Sequence, residues 1–168
     1  MDRNRHRHPG QGPQSKRDFG ITPLVGVEGH STAGKSTLAT DLGHRLDGRV
    51  FSTDGYVEAT REVETYVEML RLDELARDLA AAPDSFVVVE GICLRPTLRA
   101  TPCGRARLFV YCKRITQAGL WADELENYFE DGNPASWLSW VDRQSVIYHT
   151  EERPDEKADV VFLRKGGI

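Results

Sequence analysis

Apolar residues in this chain come in short runs, and helix-spaced stretches separate them. Leu24-Val25-Gly26-Val27 reads as a buried strand over about 23–28, and Leu38, Ala39, Leu42 and Leu46 follow at helical spacing from Lys35 to about Leu46. Gly48 closes that helix, and Val50-Phe51-Ser52-Thr53 forms a second run ending at Asp54-Gly55. From Tyr56 to about Ala82 the pattern is helical, through Val63, Tyr66, Val67 and Leu70 and then Leu72, Leu75, Ala76 and Leu79, with a break near 71–74. Phe86-Val87-Val88-Val89 is apolar throughout and rich in β-branched residues, as a strand covered on both faces should be. Leu108-Phe109-Val110-Tyr111-Cys112 is a fourth run. Trp121, Leu125, Tyr128 and Phe129 make one helical stripe, and Trp137, Leu138, Val141 and Ile147 belong to a further helix over about 135–148. Arg153-Pro154 interrupts before the last run, Val160-Val161-Phe162-Leu163. Five short strands alternating with helices predict a doubly wound α/β fold, with a mostly parallel sheet and helices on both faces.

Between the first strand and the first helix stands Gly29-His30-Ser31-Thr32-Ala33-Gly34-Lys35-Ser36, with Thr37 behind it. Glycine, four residues, glycine, lysine and serine is the spacing of a phosphate-binding loop. Glycines let successive backbone N–H groups turn toward phosphate oxygens. The lysine reaches the outer phosphates, and the serine hydroxyl can ligate Mg²⁺. The helix that follows adds its free N–H groups and the positive end of its dipole. A pattern this short arises by chance, but the strand–loop–helix order around it is the context the chemistry requires.

In a parallel sheet of this kind, ligands sit beyond the C-terminal ends of the strands. That rule sets Asp54, Glu90 and Lys113-Arg114 on the same rim as the loop. Glu90 ends a core strand, where a carboxylate needs a compensating cation such as Mg²⁺. Asp54 suits the base that accepts a hydroxyl proton in phosphoryl transfer; Asp-Gly is equally a turn.

Composition narrows the setting. The 168 residues make one domain, of which residues 1–20 hold a single large apolar residue, Phe19, and read as a disordered basic tail. The net charge of −4 argues against a nucleic-acid surface built on bulk charge, and no apolar run approaches a membrane span. Cys93, Cys103 and Cys112 lack metal-ligand spacing and suit a reducing cytoplasm. No Asn-Lys-x-Asp guanine-recognition motif occurs, which argues against a GTPase switch.

The loop at 29–37, Ser52-Thr53-Asp54-Gly55-Tyr56, Val87-Val88-Val89-Glu90-Gly91, Tyr148-His149 before Pro154, and Ala158-Asp159-Val160-Val161 together resemble the uridine kinase/phosphoribulokinase branch of the P-loop kinases, over roughly residues 22–164. The resemblance implies an ATP- and Mg²⁺-dependent phosphotransferase with a small-molecule alcohol as acceptor, nucleoside-like or sugar-like. It implies Asp54 as base or acceptor ligand, Glu90 beside Ser36 at the metal, and Tyr56, with Tyr66, near the acceptor. Such kinases usually close a lid of several arginines over the moving phosphoryl group. Here the corresponding lid-like helical segment, about 113–135, offers Lys113 and Arg114, followed by Asp123, Glu124, Glu126, Glu130 and Asp131. Arg114 is then the expected catalytic cation, with Arg143 or Arg153 behind it. The acidic segment also motivates a second reading, an ATP-binding regulator or degenerate kinase with little turnover.

Overall fold

The computed structural model describes residues 23–58, 63–82, 86–102 and 106–166. The tail expected over residues 1–20 lies outside them. Five strands, β1 (Leu24–Glu28), β2 (Arg49–Ser52), β3 (Val87–Glu90), β4 (Leu108–Ile115) and β7 (Val160–Lys165), form one sheet in the order β2-β3-β1-β4-β7. Each pairing in it is parallel. A separate two-stranded antiparallel pair joins β5 (Phe129–Glu130) to β6 (Asn133–Pro134). The helices are α1 (Lys35–Leu46), α2 (Leu72–Ala80), α3 (Leu94–Arg99) and α4 (Trp140–Glu152). The doubly wound α/β expectation therefore stands.

Side chains alternate across the sheet because successive strand residues point to opposite faces. Val25 and Val27 of β1, Val88 of β3 and Val110 and Cys112 of β4 pack beneath Leu38 and Ala39 of α1. Leu24, Val87 and Val89 face the other way, onto Leu75 and Leu79 of α2 and Leu94 and Leu98 of α3. Among the described residues no helix is long and apolar enough to cross a membrane.

Three stretches depart from the sequence pattern. The helix expected from Tyr56 begins only at Leu72; before it lie short 3-10 turns at Thr53–Tyr56 and Val67–Met69 and an antiparallel bridge of Val57 to Leu70. Tyr66 and Leu70 spend their apolar surface on Ile92, Cys93 and Tyr148, so tertiary packing overrides the local period. The segment 113–135 is not the expected helix. β4 runs on to Ile115, a bridge joins Ile115 to Trp121, and a 3-10 turn at Leu125–Tyr128 leads into the β5–β6 pair. Asp131 and Gly132 both adopt positive φ there, which a helix does not allow. Finally, α4 starts at Trp140 because the Ser139 hydroxyl caps it, accepting the Asp142 N–H at 3.1 Å. Trp137 is left outside the helix and exposed, and the buried face of α4 is Ser145, Val146, Tyr148 and His149. The short α3 had no signal in the pattern.

β7 forms one edge of the sheet, and its Val160, Val161, Phe162 and Leu163 are exposed. Core and edge should respond differently to truncation. Leu75→Ala, at a side chain with no exposed surface, is expected to cost about 2–5 kcal/mol in urea unfolding. Leu163→Ala, at 57% exposure, should stay within about 0.5 kcal/mol of wild type. Equal losses would contradict this layering.

Candidate functional site

Register builds the rim. Glu90 at the end of β3 stands between Val27 of β1 and Ser52 of β2. Two residues past each neighbour come Gly29, which opens the loop, and Asp54. The three segments therefore converge at one corner of the sheet. On the far side of β1, Glu28 pairs with Tyr111 of β4, and Arg114 of β4 pairs with Arg164 of β7.

The loop threads a narrow passage. Gly29 has φ of 151°, and a Cβ there would strike the carbonyl oxygen of Cys112. Gly34 has φ of 98°, left-handed, and passes directly into α1. The Cys112 thiol donates to the Ala33 carbonyl at 3.1 Å, so β4 supports the loop from below. From above, α4 holds it twice: the Ser31 hydroxyl donates to Asp142 at 3.0 Å, and the His30 ring stacks on His149 with centroids 3.7 Å apart. Tyr128 stacks on His30 as well, and Trp121 lies tilted against it. Thr32 and Thr37 are exposed.

Lys35 is buried and its ammonium donates to the His30 carbonyl at 2.8 Å, across the loop. Burial pushes its pKa down, while the carboxylates of Glu90 and Asp54 pull the other way. The Ser36 hydroxyl donates to Glu90 Oε1 at 3.1 Å, so the two oxygen donors expected at a metal are already neighbours. Mg²⁺ prefers oxygen ligands and keeps several waters, which fits one hydroxyl and one carboxylate beside a phosphate site. Asp54 is exposed, and Tyr66 donates to its Oδ1 at 3.0 Å. Burial raises the Tyr66 pKa, so it stays a hydroxyl donor.

Two expected residues are committed elsewhere. Tyr56 turns into the core against Leu75 and Leu79 and donates to Asp78 of α2 at 2.9 Å. Burial and that bond push its pKa up to about 12. Arg114 pairs with buried Asp123 at 2.5 Å, and Lys113 lies 3.7 Å over the Trp121 ring. Of the other arginines offered as a lid, Arg143 donates to the carbonyls of Leu138 and Ser136, and Arg153 pairs with Glu156.

The structure also brings in residues that the sequence pattern did not single out. Glu28 is fully buried; Arg95 of α3 donates to one carboxylate oxygen at 2.8 Å and Tyr148 of α4 to the other at 2.6 Å. Burial raises its pKa, and these two partners act against the rise. The reasoning applied to Glu90, a charge ending an apolar strand, would have found Glu28 too. Asp142 and Arg164 carry no such local signal, and His149, which entered with Tyr148 only as part of the family resemblance, gave no sign of its stacking on His30. They reach the loop only through the fold.

No protein-family model matches the chain, and no curated protein matches it. Among solved structures, one described as a possible uridine kinase from Bacillus stearothermophilus matches at 18% identity and a TM-score of 0.48, covering 83% of this chain and 88% of that one. Shikimate kinase from Acinetobacter baumannii, in complex with shikimate, matches at 16% identity and a TM-score of 0.45, covering 89% and 87%. At this distance neither likeness bears on what the chain does.

The stacked histidines set an acid limit on the loop. Burial lowers His30 to about 2, helped by the charges of His149 and Lys35, and lowers His149 to about 4. The unfolded chain protonates both near pH 6.5. Stability from this pair is therefore complete above about pH 6.5 and falls as pH drops toward 4, by up to about 1.4 kcal/mol per pH unit for each histidine. Glu28 works in the opposite sense, because its raised pKa lets the fold take up a proton. The comparison is thus with His149→Asn, followed by urea unfolding between pH 7.5 and 4.5. The variant should lose about one proton's worth of the acid decline; parallel curves would refute the assignment.

Proposed function

We propose that this chain is a Mg-ATP-dependent kinase that moves the γ-phosphoryl group to a hydroxyl of a small molecule. The observation that carries this reading is the corner where Lys35, the Ser36–Glu90 pair and Asp54 meet around one loop. The loop N–H groups and Lys35 would hold the phosphates. Ser36 and Glu90 would hold Mg²⁺, which offsets phosphate charge when bound. Asp54, aimed by Tyr66, accepts the proton of the acceptor hydroxyl. That hydroxyl oxygen forms the new bond to phosphorus as the bond to the ADP oxygen breaks. Tyr66, which bonds Asp54, also lines a cavity of about 370 Å³ with Cys93, Pro96, Gln144 and Tyr148, and this cavity would take the body of the acceptor. Its lining is mostly apolar, with Glu151 and Glu152 also bordering it, which suits a neutral or cationic alcohol better than an anionic one.

The second reading, an ATP-binding regulator with little turnover, draws on the arginines. Arg114, Arg143 and Arg153 all have internal partners, in Asp123, the Leu138 carbonyl and Glu156. An ADP-release assay with Mg-ATP across nucleosides, sugars and amino alcohols separates the two. Lys35→Ala should abolish both ATP binding and turnover. Asp54→Asn should keep ATP binding and lose about 10²–10⁴ in kcat, the usual contribution of a positioned base. Undiminished turnover in Asp54→Asn would rule out Asp54 as the base. Tight ATP binding with no acceptor turned over would favour the regulator.

A further inference from the structure

Arg164 is placed unlike every other arginine near the loop. It pairs in register with Arg114 at the C-terminal end of β7, one residue from the end of that strand. Cys112 and Phe162 pair two positions earlier, and Cys112 packs on the α1 side, so alternation puts Arg164 on the α1 side too. There its guanidinium lies over Gly34. A Cβ on Gly34 would overlap Arg164 Nη1 and stand 2.8 Å from its Cδ and Cζ. The bare Cα of Gly34 is thus the seat that admits this cation to the loop. Among the described residues no hydrogen bond or ion pair engages the guanidinium.

Strand order fixes which part of a ligand it can reach. Asp54 and Glu90 sit on the β2–β3 flank of the loop, and Arg164 sits on the β4–β7 flank. A cation there cannot close over a phosphoryl group that is moving toward Asp54. It can hold the phosphates that stay with the nucleoside. Guanidinium also matches phosphate oxygens in a two-pronged fashion that lysine cannot copy.

We infer that Arg164 is a nucleotide-side clamp that takes the α- and β-phosphates of a nucleoside di- or triphosphate, with Gly34 as its seat. The inference deepens the kinase reading and rests on it for the identity of the ligand class. It predicts ground-state binding: Arg164 serves substrate and product nucleotide alike, and so acts on KM more than on kcat.

Calorimetric titration of the full chain with Mg-ATP, Mg-ADP and Mg-GTP tests it, using wild type, Arg164→Gln, Arg164→Lys and Lys35→Ala. Arg164→Gln should weaken ATP and ADP equally, by about tenfold or more, and flatten the salt dependence of binding. Arg164→Lys should recover part of the loss, and GTP should suffer as much as ATP. The melting temperature should not move, since the side chain is exposed. Binding of ATP and ADP by Arg164→Gln within twofold of wild type would overturn the inference, as would a loss confined to ATP. A loss for adenine but not guanine nucleotides would also overturn it, because a base contact would then be the cause. If wild type binds nucleotide and Lys35→Ala does not, failure of the Arg164 variants leaves the site reading intact. If wild type binds none, both fall together.

Discussion

The carboxylate of Glu28 has surrendered its water, and much of the site follows from how that charge is satisfied. An unpaired charge at such a depth would cost several kcal/mol, and breaking a buried pair costs about 3–5 kcal/mol. Arg95 and Tyr148 each take one oxygen, so β1, α3 and α4 are drawn to a single point. Arg95 is itself anchored, lying 4.0 Å over the Phe109 ring and donating to the Lys157 carbonyl. The loop begins at the very next residue. Its path is thereby fixed at one end by Glu28, and at the other by Gly34 and the start of α1.

With Tyr148 pinned, His149 follows on the same helix, and its Nδ1 bonds the Ser145 carbonyl at 2.7 Å. A carbonyl only accepts, so Nδ1 carries the proton and the ring meets His30 as a neutral imidazole. One turn earlier on α4, Gln144 accepts the Tyr66 N–H at 3.3 Å, and Tyr66 in turn reaches Asp54. A short path of hydrogen bonds and one stacked pair thus connects the buried charge at 28 with both the loop and the base. The helix stripe that would ordinarily be aliphatic is used for this polar work, and for that reason Val141 and Ile147 are left exposed.

Charge is sorted across the rim by strand order. Carboxylates gather on the β2–β3 flank, and Lys35 stands near them as the loop's cation. Two acids of the 113–135 segment are engaged locally: Asp123 pairs with Arg114, and Glu130 accepts from the Ser136 backbone and hydroxyl. What looked in one dimension like a uniformly acidic lid carries one acid, Asp123, that is neutralised by the segment's own arginine. The same pairing engages Arg114, whose register neighbour on β7 is Arg164.

Local pattern determined a good deal. The five strands, α1 and the loop at 29–37 were all legible, because parallel core strands are continuously apolar and the loop needs its residue types in consecutive order. The rim positions of Glu90 and Asp54 were legible too, since one ends β3 and the other lies two residues beyond β2. Only the tertiary structure decided the rest. Tyr56 and Tyr66 are equivalent in sequence, yet packing against Leu75 turned one into the core, and Cys93 with Tyr148 turned the other toward the base. Arg114 and Arg164 are both charged ends of strands. Asp123 took the first, and Gly34, 130 positions away, seated the second. A side chain's partner is set by the register of distant strands, and no local spacing encodes that.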